Sequence, residues 1–171
     1  MFGEFTCKID SKGRMRLPKE LLSQLTDGGG GTQALFLTRG FGKYLKLYTK
    51  AAFDARIARA KRLNPDNAKH YRLLQLLFQG AQEVKVDSAD RINISKVLVE
   101  LAGLHQEAIV STFLDQVEIW SAEEYWKNAL GADATEQDEL TEAIFGPAEL
   151  LPAAEATPTS ADPQTETPPA G

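Results

Sequence analysis

Two short stretches of this 171-residue chain carry an acid and an arginine at the same spacing, Asp10-Ser-Lys-Gly-Arg14 and Asp87-Ser-Ala-Asp-Arg91. A guanidinium is a planar fork of donors that stays charged at physiological pH and matches phosphate, or the edge of a guanine, bidentately. Lys8, Lys12 and Arg16 flank the first arginine. Each phosphate neutralised by such a group releases counterions, so log K falls against log salt by roughly 0.9 per contact. Arginine adds about 1 to 3 kcal/mol of base discrimination when it takes O6 and N7 of guanine in the major groove, which a two-stranded ribbon can enter. The chemistry on offer is duplex binding. Lys8, Lys12, Gly13, Arg14 and Arg16 are the candidate DNA-binding residues, with Asp87 and Arg91 as a candidate second motif.

Blander readings stand beside each of these. Arg14 can pair with Asp10 and simply hold its own turn. Arg91, beside Asp87 and Asp90, reads as structural. The second copy puts Ala89 opposite Lys12, Asp90 opposite Gly13 and Ser95 opposite Pro18. Aspartate tolerates left-handed backbone better than most residues, so the turn is compatible with it, but a carboxylate facing phosphate repels it. Lys8, Lys12 and Lys19 can be solvated charges. Arg56, Arg59, Lys61 and Arg62 fall at helical spacing and read as a solvated face or as subunit contacts. His70 and His105 read as surface or edge residues, and Trp120, Tyr125 and Trp126 as groups packed in the second core or at a subunit interface rather than stacked on bases.

Other chemistries find little support. Cys7 is the only cysteine, which rules out an internal disulfide framework and a multi-thiolate zinc site, and His70 and His105 are too scattered to complete a metal cluster. Arg39-Gly-Phe-Gly-Lys43 resembles a phosphate loop only in its glycines, because the following YLKLY reads as a strand where a helix is needed. There is no G-x-S-x-G and no H-E-x-x-H. No catalytic residue, cofactor, metal or small-molecule substrate is expected.

The elements that must position the arginines come from an internal repeat. Asp10, Ser11, Arg14, Leu17, Lys19 and Leu21 recur 77 positions later as Asp87, Ser88, Arg91, Ile94, Lys96 and Leu98, and Lys46–Phe53 recurs at a shift of 72 as Glu118–Tyr125. The difference of five residues falls on the loop containing Gly28–Gly31. Each half reads as strand, tight turn, strand, short helix, strand, turn, strand, helix. Alternation of Phe5, Cys7, Ile9 and of Met15, Leu17 leaves Lys8, Arg14 and Arg16 on the solvated side. Gly13 suits a hairpin turn, and Pro18 the first position of a helix reaching about Leu25. Thr49 and Ser121 suit the N-caps of closing helices that reach about Leu63 and about Leu130. A linking helix over about 66–78 puts Tyr71, Leu74, Leu77 and Phe78 on one stripe. The expected organisation is a first repeat over 1–65, a linking helix over 66–81, a second repeat over 82–131, a short acidic helix over 132–146 capped by Thr135, and a disordered acidic Pro-rich tail over 147–171.

Charge follows the same division. Residues 1–80 carry 15 Lys/Arg against 6 Asp/Glu, residues 81–131 carry 4 against 9, and residues 132–171 carry none against 9. Electrostatic interactions are screened within about 8 to 10 Å, so the basic front of a chain with overall charge -5 can still meet a polyanion. The anionic tail is expected to compete with phosphate for that face. No run of about 18 apolar residues is present, and the start MFGEFTCKID has neither a basic nor an apolar leader region, so a cytoplasmic protein is expected.

The start MFGEF, DSKGR with Leu17 and Pro18, LFLTRGF at 35–41, LQLLFQGAQEV at 74–84 and the second Asp-x-x-x-Arg together resemble the MraZ family over about residues 1–130. That resemblance implies an α+β fold of two tandem AbrB-like, swapped-hairpin β-barrel repeats in one pseudo-twofold domain. It also implies a nucleoid-associated transcriptional regulator of the division and cell-wall gene cluster, assembled as a homo-oligomeric ring on direct-repeat promoter boxes. By position, the family's DNA-contacting motif falls on Asp10, Lys12, Gly13 and Arg14, with Arg14 entering the groove. The alternative is a ring-forming interaction protein that meets a protein partner through its acidic C-terminal segment.

Overall fold

The computed structural model describes residues 2–26, 34–131 and 134–145. The chain divides into two units, Met1–Gly131 and Ala132–Gly171. The first contains β1 (Phe2–Lys8), β2 (Arg14–Arg16), α1 (Lys19–Leu25), β3 (Ala34–Arg39), β4 (Tyr44–Thr49), α2 (Lys50–Ala60), α3 (Ala68–Phe78), β5 (Gln82–Lys85), β6 (Arg91–Asn93), α4 (Lys96–Ala102), β7 (Glu107–Phe113), β8 (Gln116–Ser121) and α5 (Ala122–Gly131). The fold is α+β, and each half runs strand, strand, helix, strand, strand, helix, the order the repeat predicts, with α3 between.

The strands are shared between the halves. The large sheet has the order β1-β7-β8-β4-β3-β5, and every pairing in it is antiparallel. β1 of the first half lies along β7 of the second, from Phe2 opposite Phe113 to Lys8 opposite Glu107. In return β5 of the second half lies along β3 of the first, with Leu35 opposite Val84. The two β-hairpins β3–β4 and β7–β8 meet at the middle, where Leu45 faces Ile119. A second, two-stranded ribbon joins β2 to β6.

Alternation along the strands assembles the core. Leu35, Leu37, Leu45, Leu47, Val110, Val117 and Ile119 from the large sheet meet Met15, Leu17, Ile92 and Ile94 from the β2–β6 ribbon and its C-terminal edges and Leu21 and Leu98 from the short helices, all essentially sealed from solvent. At about 25 cal/mol per Å² of apolar area, side chains of this size contribute roughly 1.5 to 3 kcal/mol each. Neither repeat could bury this surface alone, because each supplies half of every layer.

Local chemistry sets the helix boundaries. Thr49 Oγ1 accepts the Ala52 N–H at 3.3 Å and Ser121 Oγ that of Glu124 at 3.2 Å, capping α2 and α5 at the expected residues. Pro18 stands at the N-cap of α1, one position before the expected one, with its carbonyl accepting from Leu22 at 3.0 Å. α2 stops at Ala60, three residues short of Leu63, because the chain tightens there: Arg62 and Leu63 donate to Arg59 and Ala60 at 3.1 and 3.0 Å before Asn64-Pro65 turns it away. α3 starts two residues later than expected, since Asn67 rather than Asp66 accepts from the backbone of Lys69 and His70. On its stripe Leu74, Leu77 and Phe78 are half-buried, whereas Tyr71 is exposed.

The second unit is described through one helix, α6 (Ala134–Phe145). Thr135, expected as its cap, already lies inside it. Leu140 and Ile144 of this helix are exposed. The tail expected over 147–171 lies outside the described residues.

Candidate nucleic-acid interface

The carboxylate of Asp10 organises the first turn from within. Its Oδ1 accepts the backbone N–H of Lys12 at 2.9 Å and of Arg14 at 3.0 Å, and its Oδ2 accepts Arg14 Nε at 2.6 Å. Asp10 N–H donates to the Arg14 carbonyl and Gly13 N–H to the Asp10 carbonyl, each at 3.0 Å. The second turn repeats every one of these bonds: Asp87 Oδ1 accepts from Ala89 at 2.8 Å and Arg91 at 2.9 Å, and Oδ2 from Arg91 Nε at 2.8 Å. Both carboxyls are held below the usual carboxylate range, chiefly by the backbone N–H of Arg14 and Arg91 respectively, with the guanidinium and the Lys12 or Ala89 N–H adding to it and desolvation opposing.

Both turns need a left-handed residue at their fourth position. Gly13 has φ 77° and Asp90 φ 60°. A Cβ at Gly13 would stand 2.5 Å from the Ile94 carbonyl oxygen, so the space there admits only glycine. The two turns are laced together by equivalent bonds, Ile94 N–H to the Gly13 carbonyl and Leu17 N–H to the Asp90 carbonyl, both 2.9 Å.

That lacing makes a single ribbon of β2 and β6, with Arg14 opposite Asn93, Met15 opposite Ile92 and Arg16 opposite Arg91. Met15 and Ile92 point into the core. The alternate residues Arg14, Arg16, Arg91 and Asn93 therefore share the outer face. Arg14 and Arg91 have side chains 39% and 38% exposed, and Arg16 is 68% exposed. Anchoring through Nε leaves the terminal nitrogens of Arg14 with no hydrogen bond among the described residues, so holding the turn and presenting a cationic fork are compatible roles.

Lys12 sits exposed on the first turn, and Lys8 is exposed on β1, in the large sheet rather than on the ribbon. Both border an open cleft of about 1320 Å³ that also takes in Lys96, Glu100, Glu107 and Glu123, so its walls carry both signs of charge. Lys19 is exposed where α1 begins. Asp90 behaves otherwise than its position suggests. The sequence places it beside Arg91, but Arg91 belongs to Asp87, and Asp90 Oδ2 turns to Arg16 Nη2 of the other repeat at 3.7 Å. Asn93 is the residue that sequence reasoning passed over. It occupies the repeat position of Arg16, so the 77-residue shift carried the signal.

One further group lies elsewhere than expected. Arg56 does not stand in solvent; it lies over the Tyr48 ring at 5.3 Å from the centroid, whereas Arg59, Lys61 and Arg62 are exposed. Trp120 stacks on Tyr44 at 4.2 Å and Tyr125 meets its edge, while Trp126 is 53% exposed. Gly40 lies where the Tyr44 ring leaves no room for a Cβ, in the β3–β4 turn that the sequence likened to a phosphate loop. Among the described residues, no group of three His, Cys, Asp or Glu side chains could hold a metal ion, and no helix is long and apolar enough to cross a membrane.

The molecule is thus a two-repeat α+β protein whose halves exchange strands and present paired Asp-Arg turns on one ribbon. The family model described as "MraZ protein, putative antitoxin-like" matches it twice, over residues 1–76 and 77–142. The chain is 36% identical over 146 residues to a transcriptional regulator MraZ of Cytophaga hutchinsonii, covering 85% of this chain and 94% of that one. It is 35% identical over 124 residues to the protein of that name from Corynebacterium jeikeium (72% and 82% covered), and 33% identical over 146 residues to that of Corynebacterium urealyticum (84% and 98%). The chain belongs to the MraZ family of transcriptional regulators.

Proposed function

We propose that this chain regulates transcription by gripping double-stranded DNA with the β2–β6 ribbon, as a ring of copies set against direct-repeat promoter boxes of the division and cell-wall gene cluster. The observation that carries the reading is the anchored guanidinium of Arg14 on an outer face shared with Arg16 and Arg91. Arg14 enters the major groove, Lys12 and Arg16 take neighbouring phosphates, and Lys8 adds to the field from β1. The exchange of β1 and β5 between repeats supports an AbrB-type swapped-hairpin barrel, with repeats over 1–65 and 82–131 about the linking segment 66–81. One subunit offers few contacts, so repetition in a ring multiplies weak binding by avidity. Such a protein works in the cytoplasm, at the nucleoid.

A mobility-shift titration against direct-repeat duplex, with wild type and Arg14→Ala, tests this. Loss of roughly 1 to 3 kcal/mol of specific binding at unchanged oligomer mass is expected. A duplex ignored by the wild type favours instead a protein partner for the acidic helix α6, whose Glu136, Asp138, Glu139 and Glu142 carry only negative charge.

A further inference from the structure

The ribbon is built with twofold symmetry in its backbone but not in its charge. Between Asp10 and Arg16 the first hairpin carries three basic residues and one acid; between Asp87 and Asn93 the second carries one basic residue and two acids. Three substitutions across the pseudo-twofold produce that difference: Lys12 becomes Ala89, Gly13 becomes Asp90 and Arg16 becomes Asn93. Of these, Asp90 has the strongest consequence. It holds the left-handed position that its counterpart fills with glycine, so the turn and its lacing to Leu17 survive. Its carboxylate, 29% exposed, reaches across the ribbon to Arg16 of the first repeat.

Resting on the DNA reading, we infer that Asp90 is a specificity-determining residue: it keeps the second hairpin off the phosphates and draws Arg16 toward the middle of the ribbon, so that each subunit engages the duplex in one orientation through its first hairpin. A carboxylate at that place repels the backbone it would face, and it lowers the availability of Arg16 as a phosphate contact. Non-specific affinity, which depends on phosphate neutralisation alone, is weakened most. Affinity that depends on Arg14 reading a base is weakened least. The ratio between a specific duplex and a random one is therefore raised by a residue that touches neither base nor sugar. With equal hairpins, the ribbon would read the two directions of a site alike.

Asp90→Asn is the informative variant, because asparagine tolerates positive φ and removes only the charge; Asp90→Gly, which fits the same backbone, serves as the second. Wild type and both variants are titrated with direct-repeat and with random duplex at several salt concentrations. Both variants are expected to bind random duplex more tightly, with a log K against log salt slope steeper by a fraction of the roughly 0.9 that one full phosphate contact gives, as Arg16 is released from Asp90. Their ratio of specific to random binding is expected to fall. Adding Arg16→Ala should cancel most of the gain. Unchanged slope and ratio in both variants, with wild-type binding still dependent on Arg14, overturns the role of Asp90 and leaves the DNA reading intact. Indifference of wild type and Arg14→Ala alike to any duplex removes the DNA reading, and this inference with it.

Discussion

Asp10 and Asp87 do at the scale of one residue what the sequence pattern hints at: an acid four positions before an arginine closes a turn and aims the guanidinium. Their carboxyls sit below the ordinary range, so the folded state prefers them ionised more than the unfolded chain does. Stability from this source is fully present above the ordinary carboxyl pKa and is lost as pH falls through the depressed folded value. Asp10→Asn is therefore expected to be less stable than wild type at neutral pH, with the gap closing as pH drops below about 4, read from denaturant midpoints across that range. A gap that stays constant with pH would assign the loss to shape rather than charge. The spacing made Asp10 and Arg14 legible, since both partners lie within five residues. The pairing of Asp90 with Arg16 was not, because it joins residues that only strand exchange brings together.

Among elements, the β4–β8 seam shows how the two halves are locked. On its core face Leu45 and Leu47 meet Ile119 and Val117. On the other face Lys46 lies opposite Glu118, 3.6 Å from Nζ to Oε1, with side chains only 16% and 10% exposed. Trp120 Nε1 donates to the remaining Glu118 oxygen at 3.0 Å, and Lys46 Nζ to Gln116 Oε1 at 3.1 Å. A poorly hydrated carboxylate with all these partners costs little while they are present. Removing it leaves the half-buried ammonium without its counter-ion, with the neutral Gln116 oxygen still accepting from it. Glu118→Ala is expected to destabilise by about 3 kcal/mol, whereas a double change of Lys46 and Glu118 to methionine should lose much less. Urea unfolding of the three proteins checks this, and equal losses in the single and double variants would show that packing, not charge, holds the seam. The repeat shift of 72 aligned Lys46 with Glu118 in the sequence, but said nothing of their facing each other.

For the whole molecule, Cys7 reports on the exchange that joins the repeats. It lies on β1, is 5% exposed and is paired in register with Ala108 of β7, and burial pushes its thiol up to about 11. A thiol reagent near pH 8 should leave it untouched in the native protein and label it only at the rate set by opening of the β1–β7 pairing; rapid stoichiometric labelling of folded protein would mean that β1 is not held there. Alternation, turn residues and two copies of one motif were enough to read from the chain the order of its strands and helices, the caps of α2 and α5 and the arginines of the first turn, because each depends on neighbours in sequence. Which strand lies beside which, that Arg91 joins Arg14 and Arg16 on one face while Lys8 stands apart on β1, and that Asp90 answers to Arg16 were settled by tertiary structure. The relations between the halves join positions 45 to 111 residues apart, and the free energy that selects them comes from burying one common core, to which each repeat brings only half of the apolar surface.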